Sequence, residues 1–134
     1  MSDVFSGNYK LSKSENYDEF LSAIGLGMIK RVLLQSISPV ITINKDGDEW
    51  HMAAKTALKN SGFKFQMGQE FDGTNFVDAK VINIITEDGN KWTQVQTPVD
   101  GKQVVTTVCE FGEKQLTATM TVENVTAVRI YERL

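Results

Sequence analysis

The chain has few of the residues from which disulfides, metal centres and nucleophilic active sites are built. Its 134 residues include one cysteine, Cys109, and one histidine, His51. A lone cysteine cannot form an internal disulfide, which fits a reducing compartment, so we expect a cytoplasmic protein. One cysteine and one histidine also supply too few ligands for a typical zinc site. The sequence therefore predicts no metal and no other cofactor.

Charge and hydrophobicity also lack extremes. The apolar runs are only a few residues long, so we expect no membrane-spanning helix. The start, Met1-Ser2-Asp3, lacks a basic region leading into an apolar one, which predicts no secretory signal. A formal net charge of -3 argues against a dedicated nucleic-acid-binding protein. The length and the hydrophobic fraction of 41% fit one globular domain over residues 1–134.

Turn sequences and short β-rich segments fill most of the chain. Asp-Gly is a strong hairpin signal, because tight hairpin turns require a positive φ. The expected turns are Asp46-Gly47, Asn60-Ser61-Gly62, Asp72-Gly73, Asp88-Gly89, Asp100-Gly101, Phe111-Gly112-Glu113-Lys114 and Glu123-Asn124. The expected strands are 7–11, 40–43, 49–56, 63–67, 80–86, 91–97, 103–110, 115–122 and 125–131, with a short extra strand at 69–71. Roughly ten strands joined by tight turns predict an all-β antiparallel up-and-down meander.

One region, from Ser14 to about Ser36, departs from this pattern. Ser14 is a suitable N-cap for a helical stripe of apolar residues that ends at Gly25 and Gly27. A second stripe follows and ends before Pro39. The two stripes are Tyr17, Phe20, Leu21 and Ile24, then Met28, Ile29, Val32 and Leu33. Two short helices inserted once into a meander predict a β-barrel whose end is capped by a helix-turn-helix lid at about residues 15–36.

The closing strand carries the strongest functional signal. Side chains alternate faces along a strand, so Arg129 and Tyr131 share a face with Val125 and Ala127. A guanidinium offers a fork of donors that fits a carboxylate, and a tyrosine hydroxyl can add another hydrogen bond. The pair therefore indicates a pocket for an apolar acid. Arg-x-Tyr is also common on outward faces, and the pair alone leaves that alternative open.

Other strands predict an interior of mixed polarity. Gln94 and Gln96 are two residues apart and share a face, as do Thr107 and Cys109. Polar groups inside a barrel need hydrogen-bond partners or water. A wet cavity provides these more easily than a dry core does.

These motifs, in order along the chain, resemble the intracellular lipid-binding proteins, the family of cytosolic fatty-acid-binding and retinoid-binding proteins. The similar segments are Phe5-Ser6-Gly7-Asn8-Tyr9-Lys10-Leu11, Ser14-Glu15-Asn16-Tyr17-Asp18-Glu19-Phe20-Leu21, Gly25-Leu26-Gly27, Arg31, Pro39, Gly47-Asp48, Lys59-Asn60, Phe65, Gly68, Glu70-Phe71-Asp72, Asp88-Gly89 and Arg129-Ile130-Tyr131. The resemblance implies a ten-stranded clam-like β-barrel that carries a long-chain fatty acid without catalysis. It also implies that Arg129 and Tyr131 bind the ligand's carboxylate.

Three positions depart from the family's pattern. Cys109 stands where many fatty-acid binders have a second arginine, Leu58 where many have a portal phenylalanine, and Val77 where an acidic residue is common. The expected ligand-binding residues are Arg129, Tyr131, Cys109, Tyr17, Leu21, Met28, Leu58, Gln96 and Met120. We expect the portal at Met28, Val32, Leu58 and Phe76.

Three further hypotheses concern ligand, partner and activity. A retinoid or other bulky hydrophobic ligand is the alternative cargo, favoured by Gln94, Gln96 and the missing second arginine. Lys30 and Arg31 are either a solvated helix end or a docking site for anionic membranes. An enzyme would need converging acid and base groups, whereas the carboxylates cluster at turns. We therefore expect a non-enzymatic, monomeric carrier.

Overall fold

The structure, a computed structural model, describes residues 4–57, 60–75, 79–100 and 103–134. It contains ten strands and two helices in these residues. Along the chain these elements are β1 Gly7–Glu15, α1 Tyr17–Ala23, α2 Met28–Gln35, β2 Val40–Asp46, β3 Glu49–Lys55, β4 Asn60–Phe65, β5 Phe71–Thr74, β6 Lys80–Asp88, β7 Lys91–Pro98, β8 Val105–Phe111, β9 Gln115–Val122 and β10 Val125–Arg133.

All ten strands form one antiparallel sheet in the order β4-β3-β2-β1-β10-β9-β8-β7-β6-β5. The sheet curls into a nearly closed barrel, in which aromatic rings from the two edge strands, β4 and β5, contact each other. Phe71 on β5 lies 5.4 Å from Phe63 and 5.6 Å from Phe65 on β4, measured between ring centroids. The predicted fold class, a ten-stranded up-and-down barrel with two helices, is confirmed.

The Asp-Gly signals divide into turns and strand positions. Gly47 and Gly89 adopt positive φ angles of 65° and 62° at the β2–β3 and β6–β7 turns, as predicted. The turn prediction at Asp72-Gly73 is wrong, because both residues pair with β6. A Cβ at Gly73 would lie 2.6 Å from Asn83 Nδ2, so glycine here permits close packing and not a turn. The prediction at Asn60-Ser61-Gly62 is also wrong: these residues pair with β3. Asp100-Gly101 extends beyond the described residues.

The start of the lid also differs from the prediction. Ser14 does not cap α1 but lies in β1, directly opposite Arg129 of β10. Helix α1 begins at Tyr17, and its N-cap is Asn16, which has a left-handed φ of 61°. The pairing between β1 and β10 shifts between Leu11 and Lys13, which is a β-bulge. The bulge lets β1 continue past the expected cap and places Ser14 on the same face as Arg129.

The two helices treat their apolar stripes differently. Helix α1 buries Tyr17, Phe20 and Leu21 against the barrel, as its stripe predicts. Four apolar side chains of α2 instead face outward, namely those of Met28, Ile29, Val32 and Leu33. Leu34 packs against the lid cluster but is only partly buried, and none of the helix's residues is fully buried. Polar contacts hold α2 in place: Arg31 Nε donates to Asp18 Oδ1 at 3.0 Å and Arg31 Nη1 to the Leu26 carbonyl at 2.6 Å.

Most of the buried apolar side chains form two clusters, one at each end of the barrel. The closed-end cluster lies beside the β2–β3, β6–β7 and β8–β9 turns and contains Phe5, Tyr9, Ile43, Trp50, Phe65, Ile85, Trp92, Cys109, Phe111, Leu116, Ala118 and Tyr131. The lid cluster joins α1 to β8, β9 and β10 and contains Tyr17, Phe20, Leu21, Ile24, Leu26, Val105, Met120, Val122 and Ala127. Arg129 lies between Tyr131 of the first cluster and Tyr17 of the second.

Candidate functional site

Strand β10 directs Arg129 and Tyr131 into the barrel. Both side chains are buried, at 7% and 6% exposure, as is Ala127 on the same face. Their neighbours Val128 and Ile130 are more exposed, as strand alternation requires. The sequence left it open whether Arg-x-Tyr faces into the barrel or outward, and in the structure the pair faces inward.

The guanidinium of Arg129 contacts side chains from three elements. Its Nε donates to Ser14 Oγ of β1 at 3.1 Å. Its central carbon lies 3.9 Å from the ring centroid of Tyr17 on α1 and 5.9 Å from that of Tyr131 on its own strand. These contacts come from a hydroxyl and two aromatic rings, and none of them carries a negative charge at neutral pH.

No acidic side chain in the described part of the chain forms an ion pair with Arg129. The salt bridges of the described residues involve Lys13, Arg31, His51 and Lys91. Removing a cation from water is costly unless it is paired and hydrogen-bonded. A guanidinium has five N–H donors, so hydrogen bonding to Ser14 leaves four for other acceptors. The site can therefore accept an anion.

Burial keeps the neighbouring acidic groups protonated. It raises the pKa of the Tyr131 hydroxyl to about 12, although the positive charge of Arg129 opposes the shift. Burial also raises the pKa of Tyr17, again against the influence of Arg129. Both hydroxyls are protonated at neutral pH even at the ordinary tyrosine pKa of 10.0, and burial extends the protonated state to higher pH, so neither competes with a ligand as a second anion.

Cys109 lies near this site but is not activated. Burial raises the pKa of its thiol to about 12. It pairs with Ala118 on β9, which in turn pairs with Arg129 on β10, so one small residue separates the two in the sheet. A protonated, buried thiol is a poor nucleophile and behaves as a small apolar side chain.

The other predicted ligand-binding residues occupy different places. Tyr17, Leu21 and Met120 all belong to the lid cluster. Gln96 is half-buried on β7, opposite Asn83 and Val105. Met28 is 70% exposed at the start of α2, so the structure does not bring it to the guanidinium. Leu58, Phe76 and Val77 lie outside the described residues.

The interior has the mixed polarity that the sequence predicts. Asn83 is buried, and its Oδ1 accepts a hydrogen bond from Gln94 Nε2 at 3.1 Å. Gln94 and Gln96 share a face with buried Trp92, and yet both keep part of their surface accessible.

The prediction missed Ser14 as a site residue. Simple alternation from the buried Tyr9 would point Lys13 inward and Ser14 outward, and the bulge after Leu11 reverses that order. No signal in the local sequence marks this bulge. Only the pairing with β10 reveals it.

The described ranges lack both a cluster of metal ligands and a helix that could span a membrane. No group of three or more His, Cys, Asp and Glu side chains in these ranges could hold a metal ion. Neither α1 nor α2, the helices that the described residues form, has the length and apolar character needed to cross a bilayer.

Known proteins resemble the chain along almost its entire length, although no protein-family model matches it. The fatty acid-binding protein of Tyrophagus putrescentiae is 43% identical over 129 residues, covering 96% of each chain. The crystal structure of a brain fatty acid-binding protein of Drosophila melanogaster is 37% identical, with a TM-score of 0.91, and covers 97% of this chain and 99% of that one. The Schistosoma mansoni fatty acid binding protein, solved with arachidonic acid, is 33% identical, with a TM-score of 0.92 and coverage of 98% and 97%.

Proposed function

This chain belongs to the fatty acid-binding protein family, and from that premise we propose that it is a non-catalytic cytoplasmic carrier of a long-chain fatty acid. The chain acts as one lipid-binding domain, and the ligand lies inside the barrel. Arg129 and Tyr131 hold its carboxylate. The observation that carries this proposal is a buried guanidinium with no acidic partner among the described residues.

A bound carboxylate would supply the missing negative charge. Arg129 offers charged N–H donors, and the protonated Tyr131 hydroxyl offers a neutral one. A hydrogen bond to a charged group contributes about 1.5–3 kcal/mol, and each buried methylene contributes about 0.8 kcal/mol. The acyl chain therefore provides most of the affinity, and Arg129 with Tyr131 selects the head group.

The acyl chain occupies the space between the closed-end cluster and the lid cluster. We expect Leu21, Met120 and the ring of Tyr17, which pack together in the lid cluster, to line this space from the lid side. We expect Cys109 and Gln96 to line it from β8 and β7. Apolar and uncharged polar groups in this arrangement suit a chain that tolerates some water beside it.

Charge-selective binding tests the proposal directly. Arg129→Gln should weaken oleate binding by roughly 10- to 150-fold, and should change the binding of methyl oleate far less, because the ester carries no charge. Isothermal titration calorimetry measures both. Arg133→Gln is the matched control: this arginine on the same strand binds the carbonyls of Ser6 and Val4, so its loss should leave the oleate-to-ester ratio unchanged.

The contrary results are also specific. Equal losses for oleate and its ester in Arg129→Gln would exclude a charge-specific role.

Native mass spectrometry of the gently purified protein, with lipid analysis of its extract, should show one chain with one fatty acid. A bound retinoid would favour the alternative cargo, for which the interior amides Asn83, Gln94 and Gln96 are the supporting observation.

We also propose that the ligand is delivered when the lid contacts anionic membranes. The outward face of α2 presents Ile29 and Val32 at 86% and 62% exposure, beside the exposed Lys30. Arg31 contributes less than the sequence suggests, because its side chain is only 18% exposed and bonded to Asp18. Insertion of the apolar face, assisted by Lys30, is therefore the interaction that we propose.

A further inference from the structure

Two residues from other elements contact the guanidinium of Arg129 directly. Ser14 Oγ accepts a hydrogen bond from Nε at 3.1 Å, at one edge of the planar group. The Tyr17 ring covers the group at 3.9 Å from the central guanidinium carbon. Ser14 belongs to β1 and Tyr17 to α1, so the lid and the first strand both act on one side chain of β10.

We infer that Ser14 and Tyr17 are positioning residues for Arg129, an inference that rests on the proposed carboxylate site. The hydrogen bond fixes the Nε edge, and the ring fixes the plane. The two Nη groups are then held ready for a carboxylate before the ligand arrives. Such preorganisation improves affinity, because less conformational freedom is lost on binding.

The local chemistry explains why two positioning groups are needed. An arginine side chain has many rotamers, and no acidic side chain of the described residues holds this one in place. An aromatic face attracts a guanidinium without neutralising its charge. A hydroxyl likewise accepts one hydrogen bond and adds no charge. The arrangement therefore orients the cation and leaves its charge available to the ligand.

The strand geometry supports the assignment of Ser14. Because of the β-bulge after Leu11, Ser14 lies directly opposite Arg129 in the antiparallel ladder. Directly opposed residues share a face, so the hydroxyl of the short serine side chain reaches Nε of the arginine. Without the bulge, Lys13 would take this position and repel the guanidinium.

The test compares three variants with oleate and methyl oleate as probes, using calorimetry on the full chain. Tyr17→Leu should weaken oleate binding by roughly tenfold and methyl oleate binding by less than about threefold, the range that a cation–π contact supports. Tyr17→Phe keeps the ring and should bind oleate within about threefold of the unmodified protein. Ser14→Ala, at an exposed site, should weaken oleate binding by about threefold to tenfold.

A second measurement reports on the carboxylate itself. Carboxyl-labelled oleate followed by carbon-13 NMR gives the pKa of the bound head group. Tyr17→Leu and Ser14→Ala should raise this pKa, because a poorly oriented cation stabilises the anion less. In an Arg129→Gln background, the same substitutions should no longer change the oleate-to-ester ratio.

The outcomes separate this inference from the proposed function. Equal losses for oleate and methyl oleate in Tyr17→Leu, with an unchanged head-group pKa, would mean that Tyr17 only packs the lid, and would overturn the inference. If Arg129→Gln removes the selectivity for oleate while the Tyr17 and Ser14 variants keep it, the positioning role falls and the carboxylate site stands. If Arg129→Gln itself keeps the selectivity, both proposals fall.

Discussion

The two ends of the barrel differ in how they use apolar side chains. At the closed end, Trp92 lies 5.0 Å from each of Phe5, Trp50 and Phe111, measured between ring centroids, and all four are nearly fully buried. At the lid end, four of the five apolar side chains of α2 are 48% to 86% exposed, and the fifth, Leu34, is partly buried. The aromatic rings of the closed end are therefore used in packing, whereas α2 keeps apolar surface that folding does not use.

Arg129 lies between the closed-end cluster and the lid cluster. Tyr131 below it belongs to the closed-end cluster, and Tyr17 above it belongs to the lid cluster. The proposed head-group site thus joins a densely packed aromatic cluster to a lid whose second helix has no fully buried residue. A carrier needs both, because the ligand must be held firmly and must also pass in and out.

The largest effect should come from removing a ring at the closed end. We expect Trp92→Ala to lower the free energy of unfolding by about 3–5 kcal/mol, because the cavity it leaves is surrounded by rings that cannot collapse into it. Val32→Ala on α2, at 62% exposure, should cost less than about 0.5 kcal/mol. Urea denaturation measures both.

A conservative variant protects this test against loss of folding. Trp92→Phe keeps an aromatic ring and should cost less than Trp92→Ala. Similar losses for Trp92→Phe and Val32→Ala would contradict the difference between the two ends.

The next effect should appear at alkaline pH and should arise in the closed-end cluster. The Cys109 thiol has a pKa raised from 9.0 to about 12, so the folded state keeps a proton that the unfolded chain loses. The contribution of this thiol to stability is fully present below pH 9 and is lost as the pH rises from 9 towards about 12, which adds a negative slope to the free energy of unfolding over that range. Tyr131, raised from 10.0 to about 12, adds to the fall above pH 10.

Chemical denaturation at a series of pH values measures that slope. Cys109→Ala should make it shallower by the contribution of one group. The free thiol of the folded protein should also react slowly with a thiol reagent at pH 8. An unchanged slope in Cys109→Ala would show that its thiol does not titrate differently on unfolding.

The smallest effect on stability should accompany a change in delivery. Ile29→Ser, at the most exposed apolar position of α2, should change the free energy of unfolding by less than about 0.5 kcal/mol. It should nevertheless slow the transfer of a fluorescent fatty acid to anionic vesicles by a few-fold, since less apolar surface can insert.

Val4→Ser is the matched control, because Val4 is 47% exposed but precedes β1 at the closed end. It should leave the transfer rate unchanged. A transfer rate independent of vesicle concentration would mean that the ligand leaves through water, and that α2 does not dock on membranes.

Local patterns in the sequence were sufficient for most of the architecture. Period-two alternation placed Arg129 and Tyr131 on one face, and the glycines Gly47 and Gly89 marked two hairpin turns. The 3.6-residue stripe of α1 predicted its buried face. These features depend on residues close in sequence, so a single chain read without its partners reveals them.

The tertiary structure decided the rest, because those features depend on contacts between distant residues. Ser14 and Arg129 are 115 residues apart, and only the bulged register of β1 against β10 brings them together. Asp72-Gly73 carries a turn signal, but pairing with β6 holds it in a strand. The stripe of α2 predicts a helix without telling which side faces the barrel, and the bonds of Arg31 to Asp18 and Leu26 settle that orientation. Periodicity specifies which residues share a face, whereas strand register and packing specify what that face meets.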